Sequence, residues 1–197
     1  MYASTAKPGE TLLEALSADQ IRKAQDGETI IVGEIYDRYQ GSIFRYFYYR
    51  VGDRQTAEDL TSEVFLRMIE KISYYKDKRT TFQAWLFQIA RNLSIDYYRK
   101  QKPRISIPLD EDIPGSLDEP QDFVDRELTS EILSRALQEL PDNQRDVIVL
   151  RFVVGMPIVE AAETLHKTED SIKGLQRRAL LALREILTEW EVTYEPR

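Results

Sequence analysis

Apolar residues recur at steps of three and four along most of this chain, and strand-like alternation is nowhere sustained. That period restricts the fold to packed helices, so the expected class is all-α. Two amphipathic blocks carry the pattern. Between them stand Pro103, Pro108, Pro114 and Pro120, half of the chain's 8 prolines, together with Gly115 and a run of acids. Such a stretch describes an extended, poorly packed connection. The expected organisation is an N-terminal extension at 1–17, a helical domain at 18–102, a flexible Pro-rich acidic linker at 103–122, a second helical domain at 123–190 and a tail at 191–197.

Within the first block, Ile31, Ile35, Tyr39, Ile43, Phe44 and Phe47 share one helical stripe. Gly52 is placed to cap that helix and Asp53 to begin the next. Ala57, Leu60, Val64, Phe65, Met68 and Ile72 form the second stripe. "SYYKDKRTTF" breaks the pattern as a loop, and Trp85, Leu86, Ile89, Ala90 and Leu93 restore it. In the second block one amphipathic helix stops at Pro141, and "NQRDVIVLRFVVG" makes another that ends at Gly155. A short helix follows Pro157, where a missing N–H costs little. The last helix has Thr168 as its cap and turns Ile172, Leu175, Ala179, Leu183 and Ile186 inward.

The chain is acidic, with a formal charge of -7, and its charges are segregated. From Lys76 to Arg104 basic residues outnumber acidic ones 8 to 2; from Ile105 to Glu131 the acids lead 9 to 1. A localised anionic partner and a linker of opposite sign account for this asymmetry better than a general DNA coat does.

Some chemistry is excluded by supply. The absence of cysteine removes disulfides, thiolate metal sites and Cys nucleophiles, and a single histidine leaves little for zinc or His-based catalysis. The expectation is no metal, no cofactor and no catalytic site. No stretch approaches a membrane span, and "MYASTAKPGETLLEALS" lacks the layout of a signal peptide, so a cytoplasmic chain without membrane insertion is expected.

Three constellations remain. A short helix, a tight turn at His166 and a longer helix read as a helix-turn-helix unit, with Ala161 and Ala162 small where the helices approach. Lys173, Gln176, Arg177 and Arg178 lie on the outer face of the longer helix, with Thr168 and Ser171 at its start. Arg and Gln bond base edges; Lys, Ser and Thr suit phosphates. On pattern alone this reads equally as the solvated face of an ordinary helical hairpin. The stretch "TFQAWLFQIARNLSIDYYRKQKPR" combines rings with cations. Phe82, Trp85 and Phe87 divide evenly between core and surface readings. Tyr97 and Tyr98, beside Arg99 and Lys100, suit unstacked bases, since aromatic faces stack on them and cations hold the backbone; a solvated helix end followed by a turn is the alternative reading. "AEDLTSEVFLRMIEK" places Glu58, Asp59, Glu63 and Glu70 on a helix with an apolar stripe, which by periodicity alone is a salt-bridged surface helix.

Taken together, "AEDLTSEVFLRMIEKI" followed by "FQAWLFQIARNLSIDYYRK", and then "LQELPDNQRDVIVLRFVVGMPIVEAAETLHKTEDSIKGLQRRALLALREIL", resemble bacterial RNA polymerase sigma factors of the extracytoplasmic function (ECF) group over about residues 24–188. The resemblance implies a region 2 bundle at 18–102 and a region 4 helix-turn-helix at 123–190. It implies that Asp59, Leu60, Glu63, Val64 and Phe65 dock on the clamp coiled coil of the polymerase's largest subunit, with the flap as a further contact. It assigns −10 recognition and melting to Lys76, Lys78, Arg79, Thr80, Asn92, Tyr97, Tyr98, Arg99 and Lys100, acting on the single-stranded non-template strand. It assigns double-stranded −35 reading to Thr168, Ser171, Lys173, Gln176, Arg177 and Arg178. An anti-sigma factor is a candidate partner. Two departures stand out: His166 occupies a turn where the family usually has Gly, and Gly174 interrupts the recognition helix at a cost of roughly 1 kcal/mol relative to Ala.

The rival readings are a conventional helix-turn-helix transcriptional regulator, an acidic-site enzyme and a pure interaction module. The regulator predicts a two-fold operator bound without polymerase. The enzyme lacks a convergent set of titratable groups. The interaction module leaves the tyrosine-and-arginine helix end without a role.

Overall fold

The computed structural model describes residues 16–76, 80–101 and 121–193, and among these it is all-α. Residues 103–120 of the linker expected at 103–122, the start of the N-terminal extension and the end of the tail lie outside the described residues, as do Lys78 and Arg79, while residues 121–122 of that expected linker are already helical.

Local chemistry starts and stops each helix. Ser17 and Gln20 form a reciprocal capping box that opens α1 (Ala18–Gln25). Helix α2 (Thr29–Val51) ends where Gly52 turns left-handed at φ 79 and its N–H reaches the Tyr48 carbonyl. Asp53 then accepts the Thr56 N–H at 2.7 Å and starts α3 (Arg54–Lys71). Both residues act as their sequence positions predict. A 3-10 turn at Ile72–Tyr74 leads toward α4 (Phe82–Gln101), whose first turn is held by Thr81 Oγ1 accepting from the Ala84 N–H at 3.2 Å.

The predicted stripes meet in a dry interior. Ile35, Tyr39, Ile43, Tyr46 and Phe47 of α2 pack with Ala57, Val64 and Met68 of α3 and with Leu86, Phe87, Ala90 and Leu93 of α4. Each such large side chain is worth about 1.5–3 kcal/mol of burial. The rings meet edge to face: Tyr46 lies 5.3 Å from Phe47 and 5.7 Å from Phe87. Burial pushes the Tyr39 hydroxyl up to about 12.

The second unit comprises α5 (Gln121–Gln138), α6 (Asp142–Ile148), α7 (Ile158–Leu165) and α8 (Glu169–Thr193). The single helix expected up to Gly155 is in fact α6 continued by a wider π turn at Val149–Val153. There the Val154 N–H reaches back five residues to Val149 O at 2.9 Å, and Gly155 at φ 80 ends the run. Leu137, Val147, Leu150, Met156, Ala161, Leu165, Ile172, Leu175 and Ala179 fill its core.

Both units also press against each other. Helices α2 and α4 meet α5, the π turn and α7, and the two interiors run together as one apolar cluster. Two helical domains are present as expected; the broad contact between them has no counterpart in the sequence reading.

Candidate nucleic-acid interface

Helix α3 presents an outward face of mixed character. Asp59 is exposed and Glu63 is half-buried, its carboxylate held 2.8 Å from Arg67 Nε. Leu60 is also half-buried. Val64 and Phe65, assigned to a polymerase-binding surface, are turned the other way, at 0% and 5% exposure. This corrects that part of the assignment: they sit on the inward stripe with Ala57 and Met68 and support the face from beneath. The large apolar side chains that the face does show are Leu66 and Ile69, 58% and 53% exposed. They fall one helical turn apart and three and six residues beyond Glu63, and this spacing was readable from the sequence.

The residues assigned to −10 DNA lie at both ends of α4. At its start, Thr80 is fixed by Tyr75, whose hydroxyl donates to the Thr80 carbonyl at 2.8 Å. Tyr75 in turn packs on Phe82 and Trp85, with centroids 5.4 and 5.1 Å away. Phe82 and Phe87 are therefore core, and Trp85 is half-buried at its edge. Lys76 is exposed just before this cluster. On the outer side of α4, Asn92, Arg99 and Lys100 are exposed, Arg99 pairing with Asp96 at 3.1 Å.

Tyr97 and Tyr98 do not share that outer side. They continue the inward stripe of Ala90, Leu93 and Ser94 by steps of four and are half-buried, with their rings 5.4 Å apart. The Tyr98 hydroxyl donates to the Arg50 carbonyl, and the Arg50 guanidinium lies over its ring, 4.8 Å from the centroid.

Arg50 anchors a network that sequence reasoning missed. Its Nε lies 2.8 Å from Asp146 Oδ1, and Nη1 lies 3.2 Å from Asp142. Arg91 of α4 approaches the other Asp146 oxygen at 3.6 Å. Beside it, Arg145 donates to the carbonyls of Leu137, Gln138 and Leu140 and closes the end of α5. Burial raises the Asp146 carboxyl, against the pull of Arg50 and Arg91. Burial opposes the Arg50 cation as well and is the largest single influence, but Asp146, Tyr46, Tyr98 and Asp142 together outweigh it and Arg50 is raised on balance. Burial, reinforced by Arg50, lowers Arg145. The only sequence signal was a pair of charges, Arg145 and Asp146, directly preceding an otherwise apolar run.

In the second unit α7 ends at His166, which is left-handed at φ 53; the Lys167 N–H returns to the Ala162 carbonyl at 2.9 Å. His166 thus takes the backbone role of a glycine, and imidazole-bearing residues are among the few that do so repeatedly. Thr168 Oγ1 accepts the Ser171 N–H at 3.2 Å and caps α8 as expected. Thr168, Ser171, Lys173, Arg177 and Arg178 are all exposed on α8, with Lys173 3.1 Å from Asp170. Gln176 is half-buried, its amide oxygen accepting from Arg151 of the π turn at 3.4 Å. A Cβ at Gly174 would meet only the Arg178 guanidinium, at 3.6 Å, so packing within the chain does not require glycine there. Lys173, Gln176 and Arg177 line a shallow open hollow with Leu180, Leu181 and Arg184. This arrangement offers donors to phosphates and base edges along one helix.

Among the described residues, no three His, Asp or Glu side chains gather where a metal ion could be held, and no helix is long and apolar enough to cross a membrane.

Comparison with known proteins bears on the same two units. The sigma-70 region 2 family model matches residues 35–104, and the sigma-70 region 4 model matches residues 136–185. The chain is 36% identical over 185 residues to the ECF RNA polymerase sigma factor BldN of Streptomyces coelicolor, covering 93% of this chain and 70% of that protein. It is 32% identical over 157 residues to the ECF sigma factor SigM of Bacillus subtilis, covering 79% and 94%. Among solved structures, CnrH in complex with the cytosolic domain of CnrY shares the fold at a TM-score of 0.68 and 22% identity, over 87% of this chain and 96% of that one. The sigma factor RpoE of Bartonella quintana, in complex with the anti-sigma factor NepR, shares it at 0.58 and 24%, over 84% and 98%.

Proposed function

The chain belongs to the ECF RNA polymerase sigma factors, and from that premise we propose that it binds core RNA polymerase, brings it to promoters with −10 and −35 elements, and melts the −10 duplex. The observation that carries this reading is the succession of a region 2 match and a region 4 match, each coinciding with one helical unit. In this reading residues 18–102 engage polymerase and the −10 element, and 123–190 engage the −35 element.

The roles follow from the side chains. Asp59, Leu60, Glu63, Leu66 and Ile69 form the polymerase-facing surface, acidic at one end and apolar at the other. Lys76, Thr80, Asn92, Arg99 and Lys100 hold the non-template strand near α4, with Lys78 and Arg79 between them in sequence. Tyr97 and Tyr98 back that surface and offer ring faces to unstacked bases once Arg50 withdraws. Helix α8 enters the major groove with Lys173, Gln176, Arg177 and Arg178, while Thr168 and Ser171 meet phosphates. No residue of the chain is given a catalytic role; the chemistry of transcription belongs to the polymerase. The setting is the cytoplasm, where the polymerase acts. An anti-sigma protein is the expected partner; the Bartonella quintana relative in fold was solved in complex with the anti-sigma factor NepR.

The test is run-off transcription with purified bacterial core enzyme on a fragmented genomic library. The expected result is a discrete set of start sites sharing a two-part upstream motif, present only when chain and core are combined. A footprint on a two-fold operator without polymerase, and no start sites with it, would reject the proposal.

A further inference from the structure

Gln176 differs from its polar neighbours on α8. Lys173, Arg177 and Arg178 are exposed, whereas Gln176 is half-buried and is gripped from outside its own helix. Arg151 of the π turn donates through Nε to the Gln176 amide oxygen at 3.4 Å. The same guanidinium donates through Nη1 to the Met156 carbonyl. Met156 is itself fixed. Gly155 at φ 80 turns the chain back over the π turn, the Met156 N–H bonds the Leu150 carbonyl at 2.9 Å, and the Met156 side chain is fully buried. The guanidinium is therefore tied at one end to well-held backbone before it meets Gln176.

This contact decides which end of the amide is left for DNA. A guanidinium carries N–H donors and no acceptor, so only the oxygen of the amide can face it. With Oε1 directed at Arg151, the group Gln176 has left to offer is its NH2, a donor. Gln176 lines the open hollow on α8 together with Lys173 and Arg177. A glutamine free to turn reads adenine bidentately, accepting from N6 and donating to N7. The oxygen has another lone pair, but a bidentate contact needs oxygen and nitrogen turned to the same base edge, and here the oxygen is turned to the π turn. Guanine and thymine ask for less: their major-groove edges carry acceptors and no donor. Cytosine presents only a donor there and finds no acceptor.

Given the −35 role proposed above for α8, on which this inference rests, we propose that Arg151 is a positioning residue for promoter recognition: it holds Gln176 as a donor-only reader, so that the base facing Gln176 is guanine or thymine and not adenine or cytosine. A determinant of sequence preference thus lies outside the reading helix, on the turn that precedes the helix-turn-helix.

The test uses the full chain reconstituted with core polymerase on a promoter library randomised across the −35 element, with the transcribed members sequenced. Gln176→Ala should flatten the preference at one position and so locate the base it reads. The parent should favour guanine or thymine at that position. Arg151→Met keeps the apolar stem and removes the fork. It should raise the share of adenine against the favoured base by about ten-fold, the scale of one bidentate base contact. In the Gln176→Ala background Arg151→Met should change nothing further at that position. The ratio of bases is drawn from bound, active protein, so a smaller folded fraction leaves it unmoved. If Arg151→Met yields no transcripts, Arg151→Lys, which keeps a cation for the Met156 carbonyl but lacks the planar fork, should shift the ratio in the same direction.

Adenine or cytosine favoured by the parent overturns the proposal. So does an unchanged ratio in the Arg151 variants, or a change spread equally over every upstream position; each of these leaves the −35 role of α8 standing. If Gln176→Ala flattens no position, Gln176 reads no base and the proposal falls. Arg177→Ala on the same library then shows whether the −35 role falls with it.

Discussion

Arg50 Nε and Asp146 Oδ1 lie 2.8 Å apart with their side chains only 3% and 6% exposed, so one buried ion pair joins α2 to α6 across the domain contact. Removing one member leaves the other charge in a dry site, which typically costs 3–5 kcal/mol. Asp142, on a more exposed flank, offers Arg50 a second carboxylate and softens the loss. Asp146→Asn should destabilise the chain by about 3 kcal/mol in urea unfolding. Replacing both residues with Leu should recover most of that loss. A cost near zero for Asp146→Asn would mean the pair contributes nothing to the fold.

His166 holds a left-handed backbone that penalises side chains branched at Cβ. His166→Val should lower stability by about 1–2 kcal/mol. His166→Gly should be neutral within about 1 kcal/mol, since relief of strain offsets the added freedom of the unfolded chain. Thermal unfolding of the two variants side by side checks the ordering; an equal loss in both would place the cost in the imidazole's contacts instead.

Polymerase binding should depend on Leu66 as well as on the acids. Asp59→Lys/Glu63→Lys and Leu66→Ala should each weaken association with core enzyme by at least about ten-fold, or 1.4 kcal/mol. Val64→Ala should act through stability instead and lower the melting temperature, because its side chain is sealed inside. Biolayer interferometry on immobilised core enzyme, with melting curves in parallel, separates the two effects.

Arg177 lies exposed on α8. Arg177→Ala should cost about 1–3 kcal/mol at the base it reads and relax the upstream motif while leaving the downstream motif intact. Start-site sequencing with the reconstituted holoenzyme shows this directly. An unchanged upstream motif would move the reading to Lys173, Gln176 or Arg178.

Much of this architecture was legible before any coordinates. Gly52, Asp53 and Thr168 cap as their types and positions predict. The stripes through Ile35, Tyr39 and Ile43 and through Ile172, Leu175 and Ala179 are buried. These signals are local, arising within one or two turns of helix. What was not legible is long-range. Arg50 and Asp146 look like ordinary surface charges to a reader of either segment, because nothing within a turn of either identifies the other. Glu160 and Glu163 read as the solvated side of a short helix until α4 is placed beneath them. The inward turn of Tyr97 and Tyr98 was available from their spacing to Leu93 and Ser94, but the neighbouring cations drew attention to the surface.

The backbone at His166 also bears on how such a chain fails. Few residue types tolerate that twist, and none of them needs to contact the promoter to matter. Under the −35 role proposed for α8, alleles altered at this elbow would retain every cation of that helix yet aim it badly. A screen for mistargeted initiation would recover lesions there, at a site that a map of DNA contacts alone would pass over.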